Sequence, residues 1–291
     1  MSEPADGSAD GPTDGPTDGP ADGPADGKGP ADVGFAALLA RPGPRIGTYV
    51  GEFATPGLGR ILAGGGCEFA FVDMEHSGFG FETARAVLAD LHAQGIATVL
   101  RPPSQRADHL QRAADVGAQG IVAPMVNDAA EARALVAGIR YPPLGRRGVA
   151  LGIAHDDFLA GPPAEALARA NAKVRAVALI ETAAGVENVR EIAAVEGIDA
   201  LWIGHLDLGA SLGVPGETDH PRFREAVATV MAAARERDLP VGRVAASPAE
   251  AARLHAEGCD WLCYLGDAWL LQKALRDGAA EIRTLIGSGR G

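Results

Sequence analysis

Val174-Arg-Ala-Val-Ala-Leu-Ile-Glu-Thr182 and Ala200-Leu-Trp-Ile-Gly-His-Leu-Asp-Leu208 decide the fold. Each is a short apolar run that reads as a buried strand, ends in a carboxylate and passes into a helical pattern. A carboxylate left unpaired among apolar strands costs several kcal/mol or titrates away. At the C-terminal lip of a strand it can instead face an open cavity and hold a hard cation. Glu181 and Asp207, one βα unit apart, therefore read as oxygen ligands aimed at one divalent ion on a (β/α)8 barrel.

The rest of the chain keeps that rhythm. From residue 45 onward short apolar strands alternate with helical patterns, as parallel βαβ construction requires. The strands expected are 46–50, 69–73, 97–100, 120–123, 174–180, 200–203, 241–245 and 261–264. Asp128 reads as the N-cap of one helix and Asp219 of another, with a loop from strand six to Gly216. Residues 141–161 break the alternation as a long loop, the kind that serves binding, and Met125 reads as packing. An open doubly wound sheet is the rival, but it carries a glycine-rich loop after an early strand. Gly64-Gly65-Gly66 precedes a strand instead, so the expectation is a TIM barrel over residues 33–291.

Residues 1–32 repeat Ala/Thr-Asp-Gly-Pro with almost no apolar content and read as a disordered tail. That stretch holds eight acids against Lys28, so it carries −7 of the chain's net −12. Acidity of this kind gives no support to a nucleic-acid partner. No apolar run approaches the roughly 18 residues of a membrane span, and no signal-peptide segment is evident. Cys67, Cys259 and Cys263 are too few for a disulfide framework, and buried free thiols are expected. Together these point to a cytoplasmic protein.

In a barrel of this kind chemistry sits at strand C-termini. There the chain places Asp73-Met-Glu-His-Ser77, Arg101-Pro-Pro103, Glu181-Thr182 and Asp207. One imidazole, one guanidinium and several carboxylates suit a small anionic carbonyl substrate. A metal at Glu181 and Asp207 would act as a Lewis acid on a keto oxygen. Arg101 would neutralise developing oxyanion charge. His76 would move a proton, with Asp73 fixing its tautomer. Asp115, at a helix C-terminus, is oddly placed for an acid.

Seven ordered motifs carry a resemblance. They are Phe71-Val-Asp-Met-Glu-His-Ser77, Leu100-Arg-Pro102, Asp115-Val-Gly117, Ala123-Pro-Met-Val126, Arg140-Tyr-Pro-Pro-Leu-Gly-Arg-Arg-Gly148, Ile180-Glu-Thr182 and Ile203-Gly-His-Leu-Asp-Leu208. In this order they resemble the class II pyruvate-dependent aldolases of the HpcH/HpaI family. The resemblance implies a (β/α)8 barrel assembled as a hexamer, a dimer of trimers, with the last helix exchanged between subunits. Here that helix would be 267–285, with Trp269, Leu270, Leu275 and Ile282 packed on a partner.

The resemblance also implies Mg2+, Mn2+ or Co2+ on Glu181 and Asp207, acid–base work by His76 with Asp73, and oxyanion stabilisation by Arg101. Asp115 would reach a neighbouring subunit's site. The substrates implied are oxo-acids and aldehydes, cleaved or joined through a pyruvate enolate. Two departures stand out. Leu179 occupies a position that is usually glutamine, and Gly204-His205-Leu206-Asp207 replaces the usual Gly-Pro-Ala-Asp, whose backbone cradles the pyruvate carboxylate. His205 and Leu206 thus become candidate substrate contacts beside Asp207. The same site could alternatively serve an oxo-acid decarboxylase or an enolate-condensing enzyme, or hold a structural ion in a non-catalytic barrel.

Overall fold

The computed structural model describes residues 34–159 and 161–288; the expected disordered tail, 1–32, lies outside them. Eight parallel strands close in sequence order into one barrel. They are β1 Arg45–Val50, β2 Phe69–Asp73, β3 Ala97–Arg101, β4 Gly120–Ala123, β5 Arg175–Ile180, β6 Ile198–Ile203, β7 Val241–Ala245 and β8 Trp261–Gly266. Helices lie between and after them: α1 Phe35–Ala40, α2 Leu58–Gly64, α3 Phe81–His92, α4 Ala107–Asp115, α5 Ala129–Ile139, α6 Pro163–Lys173, α7 Ala183–Glu187, α8 Val189–Ala193, α9 His205–Ser211, α10 Pro221–Arg235, α11 Pro248–Ala256 and α12 Asp267–Ser288.

The period-2 alternation of a strand sorts every residue inward or outward. Inward, Phe69, Phe71, Val99, Val122, Val177, Leu179, Trp202, Trp261 and Cys263 form the barrel's own core. The outward set packs beneath the helices. Two steps beyond Phe71 and Val99, the same alternation makes Asp73 and Arg101 the inward residues at the open end. Register confirms it, since Asp73 and Arg101 are directly paired across β2 and β3.

The closed end is sealed by α1, a helix the sequence did not announce. Phe35 and Leu38 are fully buried, and the Phe35 ring lies 5.1 Å from Trp261. Six residues cannot hold a helix unaided. Arg45 holds this one, its Nε donating to Leu38 O at 3.0 Å and Nη2 to Leu39 O at 2.7 Å. Cations suit a helix C-terminus for this reason.

Three boundary expectations need correction. The segment after β6 is not a loop to Gly216, because α9 starts at His205 and puts Asp207 in its first turn. The single helix that the sequence suggests over 186–193 is two short pieces that meet at Asn188. Asp219 does not cap α10; His220 does, accepting Arg222 N–H at 3.2 Å, while Asp219 accepts from Arg224. Asp128 does cap α5, accepting from Ala130 and Glu131 N–H.

Candidate active site

Arg101 is the most constrained side chain at the barrel's open end. Its Nε and Nη2 donate to Asp73 Oδ1 and Oδ2 at 2.7 and 2.8 Å, a bidentate fork. Its Nη1 lies 3.0 Å from Glu75 Oε2. Asp73 is completely buried, and also accepts from the Tyr49 hydroxyl at 2.7 Å and from the main-chain N–H of Glu75 and His76. Burial pushes the Asp73 carboxyl up, but Arg101 and these donors more than offset it and hold it below the usual carboxylate range. Tyr49 in turn is stacked between Phe71 and Trp269 of α12.

This geometry corrects one sequence expectation. Asp73 reaches back onto the His76 main chain, as an aspartate in a turn does, and does not touch the imidazole. His76 is 63% exposed at the mouth, and its Nε2 stands 3.9 Å from Glu75 Oε2. Glu75, present in the sequence motif but given no role, is thus the carboxylate shared by Arg101 and His76. Burial pushes its carboxyl up, with Arg101 opposing.

Glu181 follows β5 and is only 2% exposed. Its Oε1 accepts Met125 N–H at 2.7 Å. Met125 is in the left-handed region at φ 55°, strain of the kind held at functional sites, and its side chain is exposed. The expectation that Met125 merely packs is therefore wrong; its backbone aims a donor at Glu181. Burial raises the Glu181 carboxyl to about 7, helped by the negative charges of Asp207 and Glu75 and opposed by Met125 N–H and Arg101. Asp207 itself is exposed on α9. Glu181, Asp207, Glu75 and Arg101 thus share one electrostatic site.

Gly204 makes room for it. A Cβ there would stand 2.5 Å from Glu181 Oε2 and 2.7 Å from its Cβ. Gly204→Ala should displace Glu181, cost about 1–3 kcal/mol, and weaken divalent-cation affinity measured by titration calorimetry. Unchanged affinity would show that Glu181 is not held by this contact. Leu179 Cδ1 lies 3.1 Å from the same point, so the residue at the usual glutamine position walls Gly204. Leu206 is exposed, and His205 is half-buried, its pKa lowered by burial and by Arg243.

Asp115 does not join this group within the chain. It ends α4, and βα geometry puts that helix end at the opposite, closed end of the barrel. Its partner is Arg147, whose Nη2 and Nε donate to Oδ1 at 2.7 and 3.0 Å. That pairing accounts for an acid at a helix C-terminus. Among the described residues, no three His, Cys, Asp or Glu side chains are grouped to hold an ion. Glu181 and Asp207 influence each other through space.

Residues 45–262 match the family HpcH/HpaI aldolase/citrate lyase. The chain belongs to this family. A hydroxypyruvate/pyruvate aldolase of Deinococcus radiodurans is 38% identical to this HpcH/HpaI aldolase over 179 residues, which are 62% of this chain and 64% of that protein. A hydroxypyruvate/pyruvate aldolase of Roseovarius nubinhibens is 32% identical over 250 residues, 86% of this chain and 96% of that protein. The crystal structure of an HpcH/HpaI aldolase from Desulfitobacterium hafniense DCB-2 superposes with a TM-score of 0.79 at 31% identity, covering 86% of this chain and 95% of the other. The fold of this chain therefore agrees with that of a solved member of the family.

Proposed function

We propose that this aldolase makes and breaks the carbon–carbon bond of 4-hydroxy-2-oxo acids beside a pyruvate-type unit, using one divalent cation. The observation that carries this reading is Arg101, paired with Asp73 and Glu75 and acting through space on Glu181, which Asp207 also influences. Those carboxylates fit a cation. Gly204 leaves Glu181 Oε2 uncrowded, and a positive ion would relieve the cost of ionising a buried acid among like charges. An all-oxygen donor pair suits Mg2+, Mn2+ or Co2+. When bound, such an ion supplies Lewis-acid polarisation of a keto oxygen.

The chain's own residues supply the rest. Arg101 cannot deprotonate and cannot turn, so it presents fixed positive charge where oxyanion character develops. Its fork is already spent on Asp73, which keeps the guanidinium plane in place. His76, at the solvent edge, takes the proton from the aldol hydroxyl and returns it, directly or through one water. Glu75 stands beside it, with Oε2 3.9 Å from the imidazole Nε2. His205 and Leu206 border the substrate carboxylate's place and shape the pocket.

A panel of 4-hydroxy-2-oxo acids assayed with each cation tests the proposal, with oxaloacetate included. Pyruvate should appear, chelation should stop it, and His76→Ala should lose about 10²–10⁴ in rate while cation binding persists. Oxaloacetate turnover without turnover of any hydroxy-oxo acid would favour the decarboxylase reading. A full rate in His76→Ala would remove His76 from the mechanism.

We infer a homohexamer in the cytoplasm as the working form. Leu271, Leu275, Ile282, Leu285 and Ile286 of α12 are all exposed, an apolar face that asks for a neighbour. Among the described residues all three cysteines are free thiols, and no helix is long and apolar enough to cross a membrane. Light scattering should return the mass of six chains; a monomer's mass would overturn this assembly.

A further inference from the structure

Outside the barrel mouth, α10 and α11 enclose a cavity of about 390 Å3 over the outer face of β7. Its wall includes Phe223, Val227 and Met231 on the apolar side, and Arg235 and Arg253 at the rim. Arg243 from β7 also lines it. Arg243 is 2% exposed, its guanidinium lies 5.3 Å from the Phe223 ring centroid, and its Nε and Nη2 have no hydrogen-bond acceptor. Glu257 is the acid in the wall, and it already accepts from Arg253 at 2.8 Å.

A sealed guanidinium with unused donors is expensive. Burial lowers its pKa, and Glu250 and Glu257 act on it only through space. Removing such a charge usually stabilises a fold, so its presence needs a reason other than packing. The cavity supplies one: a fixed cation next to an apolar wall, under a rim that adds further positive charge. Planar two-oxygen anions match a guanidinium best. Apolar side chains beside it call for a ligand with a hydrocarbon body.

We propose that the α10–α11 cavity is a second binding site, separate from the catalytic mouth, for a small organic carboxylate with an apolar body, recognised by Arg243. Entry past Arg235 and Arg253 draws the anion in, Arg243 Nε and Nη2 donate to its carboxylate, and Phe223, Val227 and Met231 cover the rest.

The probe is 4-bromobenzoate. Soaked into crystals of the full chain, it should give an anomalous bromine peak between α10 and α11, and titration calorimetry should show binding to the wild type. Arg243→Met should weaken that binding about 10–100-fold, as loss of a charge-assisted hydrogen bond does. It should also keep or raise the melting temperature, whereas a purely structural arginine would lower it. Met231→Trp fills the cavity without touching the charge; it should abolish the peak and leave aldol turnover unchanged. It serves as the deciding variant if Arg243→Met fails to fold. The proposal is overturned by a bromine peak only at the barrel mouth, by affinity indifferent to Met231→Trp, or by a crystal in which a segment of another copy fills the cavity.

Discussion

Arg101→Ala should lower turnover about 10²–10³-fold and destabilise the protein by about 3–5 kcal/mol. The two losses have separate origins in one side chain. Turnover falls because the fixed positive charge at the reacting oxygen is gone. Stability falls because Asp73, with no exposure at all, loses both arms of its fork and keeps only Tyr49 and two main-chain donors. An uncompensated buried carboxylate then has to be protonated or solvated. Because Asp73 is held below its unfolded value, its stabilising share is present at neutral pH and disappears as pH falls through the native value. Arg101→Ala should therefore flatten the acid limb of the stability curve measured by urea unfolding. Arg101→Lys keeps a charge but not the planar fork, and should fall between the two in both readouts. A stability within about 1 kcal/mol of wild type for Arg101→Ala would show that Asp73 finds its donors elsewhere.

The second large effect is on pH and cation. Burial raises Glu181 to about 7 against an ordinary value near 4.5. The native state then holds the proton more tightly than the unfolded chain. Stability is therefore greatest below the unfolded value and is lost as pH rises towards about 7, by roughly 3 kcal/mol in all. A chelator-treated sample should show a melting temperature that declines across this window. Saturating Mg2+ or Mn2+ should remove the decline and release about one proton on binding near pH 6. Apparent cation affinity should drop about tenfold per pH unit below about 7. Glu181→Gln should abolish both the decline and the affinity. A decline that persists in Glu181→Gln would assign it to another carboxyl.

The barrel was legible because short continuous apolar runs alternated with helical stretches, and eight such units admit few other closures. Two short helices, α1 and α9, were not legible. α1 owes its existence to Arg45 and a bed of aromatic rings, which no local pattern encodes. α9 begins after a glycine without a side-chain cap, so His205–Ser211 looked like loop.

At the site, strand ends could be read and side-chain direction could not. Asp73 and His76 are three apart in a turn, yet the aspartate faces inward to Arg101 and the histidine faces solvent. Tyr49 and Glu75 were hidden because their roles depend on contacts with Asp73 and Arg101, which the chain folds together. The Met125 donor depends on a backbone angle that its side chain does not advertise. Asp115 found a partner 32 positions on, beyond any local pattern.

α12 starts beside the candidate active site. Asp267, its first residue, accepts three N–H groups from Gly51, Glu52 and Phe53, and two residues later Trp269 lies on Tyr49. Tyr49 holds Asp73, and Asp73 holds Arg101. Whatever grips the far turns of that helix therefore pulls on a short linkage ending at the guanidinium. With α12 packed on a neighbour in the proposed hexamer, specific activity should fall on dilution even where each barrel stays folded.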